Sequence, residues 1–153
     1  MSTALSVTCR VGVSFVLLLI AACGHKTDIR PPALVAPGAI GDLALAMEDR
    51  GIILKWSRPQ RYADGSEMDD LGAFVVLRAK RDGIDAQPFT RIALVPVEDR
   101  DRFQQEKKFS YTDAPLTAGT LYRYRVQAVT LDGYLGNTSN TVELLWQEKA
   151  GGA

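Results

Sequence analysis

Histidine and cysteine are scarce in this chain, which has one histidine, His25, and two cysteines, Cys9 and Cys23. All three lie before residue 37, so the larger C-terminal part contains neither residue type. Such a segment forms no disulfide bond and supplies neither a thiol nucleophile nor a histidine for a catalytic triad. A lone histidine in a proline-rich segment is more often solvated than a ligand, so we predict no metal site. We therefore expect a domain that is not an enzyme, has no cofactor and is stabilised by burial alone.

An excess of one charge sign is also absent. Lysine plus arginine and aspartate plus glutamate number 18 each, and Arg10 is the only charged residue before Cys23. Nucleic-acid binding requires a cluster of basic residues on one surface, which this balanced composition does not indicate. We therefore exclude nucleic acid as a partner.

The longest apolar run, from Val11 to Ala22, is too short to cross a bilayer as a helix, which takes about 20 residues. Arg10 precedes the run, small residues end it, and a polar stretch begins at Gly24. A short apolar core behind a positive residue and before small residues is typical of a signal peptide. We predict that residues 1–22 are a leader that is removed from the mature protein.

The sequence Ile20-Ala21-Ala22-Cys23 at the end of this run resembles the lipobox of bacterial lipoproteins. The resemblance implies cleavage between Ala22 and Cys23, a diacylglycerol on the Cys23 sulfur and, usually, acylation of the new amine. The alternative is an ordinary secretory signal followed by a free cysteine. Two acyl signals suffice for stable anchoring, so membrane lipid is the first predicted partner. Gly24 stands where an aspartate favours retention in the inner membrane, which implies the outer membrane in a bacterium with two membranes.

Residues 23–36 form a predicted tether between the lipid and the domain. Pro31 and Pro32 favour extended backbone, and the segment reaches roughly 40 Å at ~3 Å per residue. Its first residues, Cys23-Gly24-x-Lys26, also resemble the start of a small lipoprotein family that assists assembly of the outer-membrane machinery for lipopolysaccharide transport. That family continues with Gly-Pro, where this chain has Thr27-Asp28. A small assembly factor acting through this segment is therefore the alternative to a binding or scaffold module in the cell envelope.

From Ile40 onward, short runs of alternating apolar and polar residues are separated by turn formers, a pattern typical of an all-β sandwich. Alternation predicts strands around residues 52–56 and 122–128, and apolar residues on both faces of 74–78 predict a central strand. Further strands are expected at 89–97, 109–111 and 142–144. We interpret residues 98–108 as a solvated loop rather than a helical turn.

Several motifs within residues 36–146 resemble a fibronectin type III domain. They are Leu54-x-Trp56, Pro59, Phe74-x-Val76-x-Arg78, Tyr111-x-Asp113 and Leu116-x-x-Gly119-Thr120-x-Tyr122-x-Tyr124. The resemblance implies an immunoglobulin-like β-sandwich of about seven strands, with Trp56 in the core and Tyr122 as the tyrosine corner, whose hydroxyl bonds to upstream backbone. We place this domain at residues 37–147 and assign 148–153 to a flexible C-terminal tail.

Two long connections, residues 60–71 and 98–107, are rich in charge and poor in apolar residues. Long loops in compact domains are often functional, so we expect partner binding there or on an exposed sheet face, where Arg123, Arg125 and Gln127 form an outward row. The acidic segment Asp64–Asp70 has oxygen ligands for calcium but lacks the spacing of an EF-hand loop, so we favour a hydrated loop. The partner is expected to be an envelope protein or a polysaccharide, and the sequence leaves the choice open.

Overall fold

The computed structural model describes residues 31, 35–82, 85–104 and 107–147. In these ranges the strands are β1 Ala44–Glu48, β2 Gly51–Ser57, β3 Leu71–Asp82, β4 Asp85–Ala86, β5 Thr90–Pro96, β6 Lys108–Asp113, β7 Leu121–Thr130 and β8 Val142–Leu145. A short helix, α1 Asp99–Arg102, lies between β5 and β6. The predicted leader, residues 23–30 of the predicted tether and the predicted tail all fall outside the described residues.

The strands form two antiparallel sheets. The smaller sheet has the order β1-β2-β6, and the larger has the order β4-β3-β7-β8. Strand β5 pairs with β3 along the edge that β4 also uses, so β4 and β5 share one strand position. This arrangement confirms the predicted all-β sandwich of about seven strands.

Alternation of side chains produces the strands and their buried faces. Successive side chains of a strand point to opposite sides of the sheet, so a half-buried strand is apolar at every second residue. In β7 every second residue is buried, and in β2 Leu54 and Trp56 are buried while Lys55 between them is exposed. The predicted central strand, β3, has paired neighbours on both edges, as its two apolar faces indicated.

Aromatic side chains from both sheets meet in the core. Trp56 of β2 contacts Phe74 of β3 edge-on, with ring centroids 5.4 Å apart. Phe74 also contacts Phe109 of β6, at 4.6 Å. Aromatic pairs at such distances add about 0.5–1.5 kcal/mol to the gain from area burial, so this cluster helps to hold the two sheets together.

The connection between β5 and β6 differs from the predicted solvated loop, because it contains the helical turn α1. Asp101 in this helix is buried, and its carboxylate accepts a hydrogen bond from Lys107 Nζ at 3.0 Å. Asp99 and Asp101 lie in the first turn, where negative charge is favourable near the helix N-terminus. A helix of four residues is too short to show an apolar period in the sequence, which explains the wrong prediction.

The strand directions give the sandwich two distinct ends. We call one the loop end: it carries the β2–β3 connection (58–70), the β5–β6 connection (97–107), the β7–β8 turn (131–135) and the N-terminal segment 36–43. We call the other the turn end: it carries the β1–β2 turn (49–50), the β6–β7 connection (114–120) and residues 146–147. Both long connections singled out from the sequence therefore lie at the same end.

Candidate functional site

The two long connections meet around one buried arginine, Arg58, which directly follows β2. Its NH2 group donates to the carbonyl oxygen of Met68 at 3.1 Å, and NH1 donates to the carbonyl oxygen of Arg102. Met68 belongs to the β2–β3 connection and Arg102 to α1, so one guanidinium group joins both segments. Arginine suits this role because its planar group offers several N–H donors in fixed directions.

The charge of Arg58 is balanced by backbone dipoles rather than by a carboxylate. Burial lowers the pKa of Arg58 from its ordinary value, and the acceptors that its terminal NH groups reach among the described residues are carbonyl oxygens. An arginine side chain is not deprotonated in proteins, so the group stays charged. Arg58 therefore introduces a fixed positive charge beneath the loop end.

A cleft of about 250 Å³ opens between the two connections, above Arg58. Its lining residues are Arg58, Gln60, Arg61, Glu67, Met68, Asp69, Arg102 and Phe103. Within the described part of the chain, the Nε atom of Arg102 is buried there without a hydrogen-bond acceptor, and the Phe103 ring is 71% exposed. The cleft combines cations, carboxylates and one exposed aromatic ring, so it offers polar and aromatic contacts to a partner.

The acidic segment is more closely packed than its composition indicated. Asp64 accepts hydrogen bonds from the backbone and the hydroxyl group of Ser66, and Asp70 accepts one from the Tyr62 hydroxyl at 2.7 Å. Met68 is part of the hydrophobic core, at 5% exposure, so this connection, although poor in apolar residues, contributes one side chain to the core. Over the described ranges, no group of three or more histidine, cysteine, aspartate or glutamate side chains is arranged to hold a metal ion.

The N-terminal segment is fixed to the loop end by close backbone contacts. The amide of Gly38 donates to the carbonyl of Arg61 at 2.8 Å, and the amide of Ala63 donates to the carbonyl of Ala36 at 2.8 Å. A Cβ atom on Gly38 would lie 2.8 Å from the Arg61 oxygen, and one on Gly136 would lie 2.5 Å from the oxygen of Pro37. Both approaches require glycine, so the chain enters the domain between the β2–β3 connection and the segment after the β7–β8 turn.

The predicted core residues Trp56 and Tyr122 are both about 1% exposed. The Tyr122 hydroxyl accepts a hydrogen bond from the backbone N–H of Thr117 at 2.9 Å, which is the geometry of a tyrosine corner. This bond ties the β6–β7 connection to β7 at the turn end. The indole Nε1 of Trp56 has no hydrogen-bond partner among the described residues.

A second arginine, Arg78, is partly buried between the sheets, toward the turn end, with its side chain 24% exposed. Arg78 NH1 contacts both carboxylate oxygens of Asp113, at 2.9 and 3.1 Å, and the Tyr124 hydroxyl donates to Asp113 at 2.7 Å. Burial alone lowers the pKa of Arg78, but the hydrogen bond and the negative charge of Asp113 outweigh it and raise the pKa. Burial, followed by the same carboxylate, raises the pKa of Tyr124 well above its ordinary value. The sequence motifs contain all three residues, but their spacing gave no sign that they meet.

The outward row of β7 carries an aromatic partner that sequence reasoning missed. The guanidinium carbon of Arg125 lies 4.4 Å from the centre of the Phe89 ring, and that of Arg123 lies 5.3 Å from it. Arg125 Nε also donates to Thr141 Oγ1 at 2.7 Å, and Gln127 donates to the carbonyl of Gly136 at 3.0 Å. Phe89 is 34 residues from Arg123 in sequence, and only the pairing of the strands brings them together.

Ala22, Cys23 and His25, which carry the predictions of cleavage, lipid attachment and a solvated histidine, lie outside the described residues. Within the described ranges, no helix combines the length and the apolar character required to cross a bilayer. The site residues that the structure describes all belong to the sandwich.

Solved structures similar to this chain include fibronectin type III domains. The sixth fibronectin type III domain of human fibronectin type III domain containing protein 3 matches with a TM-score of 0.53 and 18% identity, over 77% of this chain and 92% of that one. The twitchin kinase region from C. elegans matches with a TM-score of 0.54 and 13% identity, over 77% of this chain and only 18% of that region. No protein-family model and no curated protein matches the chain. The described domain thus has the fibronectin type III fold, an immunoglobulin-like β-sandwich.

Proposed function

We propose that this protein is a lipoprotein, anchored in the outer membrane through acylated Cys23, whose fibronectin type III-like domain is a non-enzymatic binding or scaffold module of the cell envelope. The fold supports the second half of this proposal, because it presents loops and sheet faces on a rigid scaffold. The lipobox-like sequence before Cys23 supports the first half.

The observation that carries the proposal is the junction between the N-terminal segment and the loop end. The backbone bonds of Ala36 and Gly38 to residues 61–63 hold the start of the domain against the loop end. A lipid on Cys23 would therefore hold the loop end nearest to the bilayer, at most roughly 40 Å away through an extended tether. The sheet faces and the turn end would then point sideways and outward, where envelope partners are accessible.

Mass spectrometry of the protein purified from envelopes tests the anchor. We expect a mature N-terminal peptide that begins at Cys23 and carries acyl chains. A matched Cys23→Ser variant, which retains the leader, should leave the membrane fraction or retain its uncleaved leader. An unmodified N-terminus at another residue would contradict the proposal.

The binding half has a separate test. Chemical crosslinking in intact envelopes should capture partners of the full-length protein, and a variant that keeps residues 1–36 but lacks the domain should lose them. If the truncated variant retained the partners and the cellular function, the protein would act as an assembly factor through its N-terminal segment, and the binding-module proposal would be wrong.

A further inference from the structure

The outer face of the larger sheet carries a patch formed by Phe89, Arg91, Arg123 and Arg125, which we call the arginine–phenylalanine patch. Strand pairing places these residues on one side: Leu77 lies opposite Arg91 on β5 and opposite Arg125 on β7. Two positions further along β3, and on the same face, Ala79 lies opposite Arg123. The patch therefore spans three neighbouring strands of the sheet.

The Phe89 ring lies beside both arginines of β7, with the guanidinium carbons of Arg125 and Arg123 at 4.4 and 5.3 Å from its centre. Ala79, opposite Arg123 on β3, is only 2% exposed. The two guanidinium groups are thus held against an aromatic ring, an arrangement that restrains their planes.

Positive charge predominates in the patch. Over the described part of this face, Glu143 is the acidic residue that approaches it, at 3.7 Å from Arg123 Nε, and its side chain is 56% exposed. An exposed pair at that distance contributes little, so it leaves Arg123 free to exchange partners. Arg125 uses Nε for Thr141, and among the described residues its terminal nitrogens have no further acceptor.

We propose that the arginine–phenylalanine patch is a binding site for a linear acidic polysaccharide. Guanidinium groups with fixed planes bind carboxylate or sulfate groups through paired N–H bonds. Arg123 and Arg125 are about 7 Å apart along β7, and Arg91 is two strands, about 10 Å, from Arg125. An extended polymer with repeated anionic groups can contact all three arginines on this face, whereas a single compact anion cannot span them.

Two other polyanions fit the molecule less well. Double-stranded DNA presents a much higher charge density and requires a larger basic footprint than this chain, with its balanced 18 basic and 18 acidic residues, provides. A lipid headgroup surface would lie at the loop end, away from the sheet face. The polysaccharide proposal rests on the proposed function in that the domain binds a partner and, for the comparison with lipid headgroups alone, in that the anchor lies beside the loop end. Binding to the patch itself does not require acylation of Cys23.

The test uses the full chain purified in detergent and two immobilised probes, alginate as a uronate polymer and dextran as a neutral one. We expect salt-sensitive binding to alginate and none to dextran. The double variant Arg123→Gln/Arg125→Gln should bind alginate at least tenfold more weakly. The control Arg50→Gln/Arg100→Gln, which removes the same charge from two exposed arginines outside the patch, should stay within twofold of the parent.

A charge-preserving variant separates a built site from diffuse attraction. Arg123→Lys/Arg125→Lys keeps both charges but loses the planar groups, and we expect at least threefold weaker alginate binding with an unchanged melting temperature. Any of four results would overturn the proposal: no alginate binding by the parent, equal losses in the control, unchanged binding by the lysine variant, or tighter binding to double-stranded DNA than to alginate. None of these four results bears on the acylation of Cys23, which mass spectrometry tests separately.

Discussion

The loop end and the turn end each hold one arginine, fully buried at the loop end and partly buried at the turn end, and give it different partners. At the turn end Arg78 is paired with the carboxylate of Asp113, which raises the pKa of Arg78 despite its burial. At the loop end Arg58 is bonded to the carbonyl oxygens of Met68 and Arg102, and burial lowers its pKa. The first arrangement neutralises a charge inside the sandwich, and the second retains a charge beneath a surface cleft.

The difference explains how the two ends are built. The carboxylate partner of Arg78 belongs to a strand, so the pair links the two sheets directly and needs no long connection. The carbonyl partners of Arg58 belong to two connections, so these segments have to be long enough to reach it. Long charged loops at the loop end are therefore held by the domain rather than being free insertions, and replacing them with short turns would remove the partners of Arg58.

The largest effect is expected from the core that both ends share. Replacing Trp56 with alanine removes a side chain that is 1% exposed and contacts Phe74, and such truncations cost about 3–5 kcal/mol. Domains of this kind have only ~5–15 kcal/mol in total. Chemical denaturation should show a large loss of stability that affects both ends together. A melting temperature within a degree or two of the parent would show that Trp56 is not a core residue.

A smaller and local effect is expected from Arg58→Met, which keeps much of the side-chain volume but removes its donors. The carbonyls of Met68 and Arg102 would lose their buried partner, at a cost of about 2 kcal/mol. Hydrogen exchange should accelerate in residues 58–70 and 97–104 but not at Thr117 at the turn end.

The exposed Arg61, which donates to the carbonyl of Gly65, provides the matched control. Arg61→Met should change stability by less than about 0.5 kcal/mol, as surface substitutions usually do. Equal effects of the two substitutions would mean that Arg58 does not hold the connections together.

The turn-end cluster should make stability depend on alkaline pH. The pKa of Tyr124 is raised, first by burial and then by Asp113, so the folded state holds this proton more tightly than the unfolded state. Its contribution is fully present below the unfolded pKa of about 10 and is lost as pH rises above it, by about 1.4 kcal/mol per pH unit. Burial also raises the pKa of Tyr111, which adds to this decline.

Urea denaturation between pH 7 and 11.5 measures this slope. Tyr124→Phe should be about 1 kcal/mol less stable at neutral pH, because it lacks the hydrogen bond to Asp113, and should show a shallower decline above pH 10. Tyr134→Phe, at a partly exposed position, should retain the slope of the parent. If the slope were the same in all three proteins, the Tyr124 hydroxyl would not be coupled to the cluster.

Much of the fold was predictable because strand alternation is a local property of the sequence. The faces of β2 and β7 follow directly from residues such as Leu54, Trp56 and Tyr122, and the apolar faces of β3 predicted its central position. The Leu-x-x-Gly-Thr-x-Tyr motif indicated the place of the Tyr122 hydroxyl bond. The helix α1 was missed because four residues cannot display a helical period.

For the candidate sites, the sequence indicated which segments of the chain are involved but not which residues meet there. Charge and length indicated both long connections. Arg58 lies outside both of them, next to Pro59, and nothing in the sequence suggested that it joins them. Phe89 and Arg125 become neighbours only when β5, β3 and β7 pair in one register. Contacts of this kind depend on tertiary pairing, which the sequence of a single strand does not contain.

The distance of each end of the domain from the bilayer can be measured directly on the anchored protein. If Cys9 is removed with the leader and Cys23 is acylated, a cysteine introduced elsewhere is the only free thiol. A fluorophore on Glu67→Cys would report the loop end, and one on Arg50→Cys would report the turn end, in vesicles whose lipid headgroups carry an energy-transfer acceptor, which quenches over the length of the tether. The account predicts stronger quenching at position 67 than at position 50, because the N-terminal segment joins the domain beside residues 61–63. Equal or reversed quenching, or no quenching at either position, would contradict it.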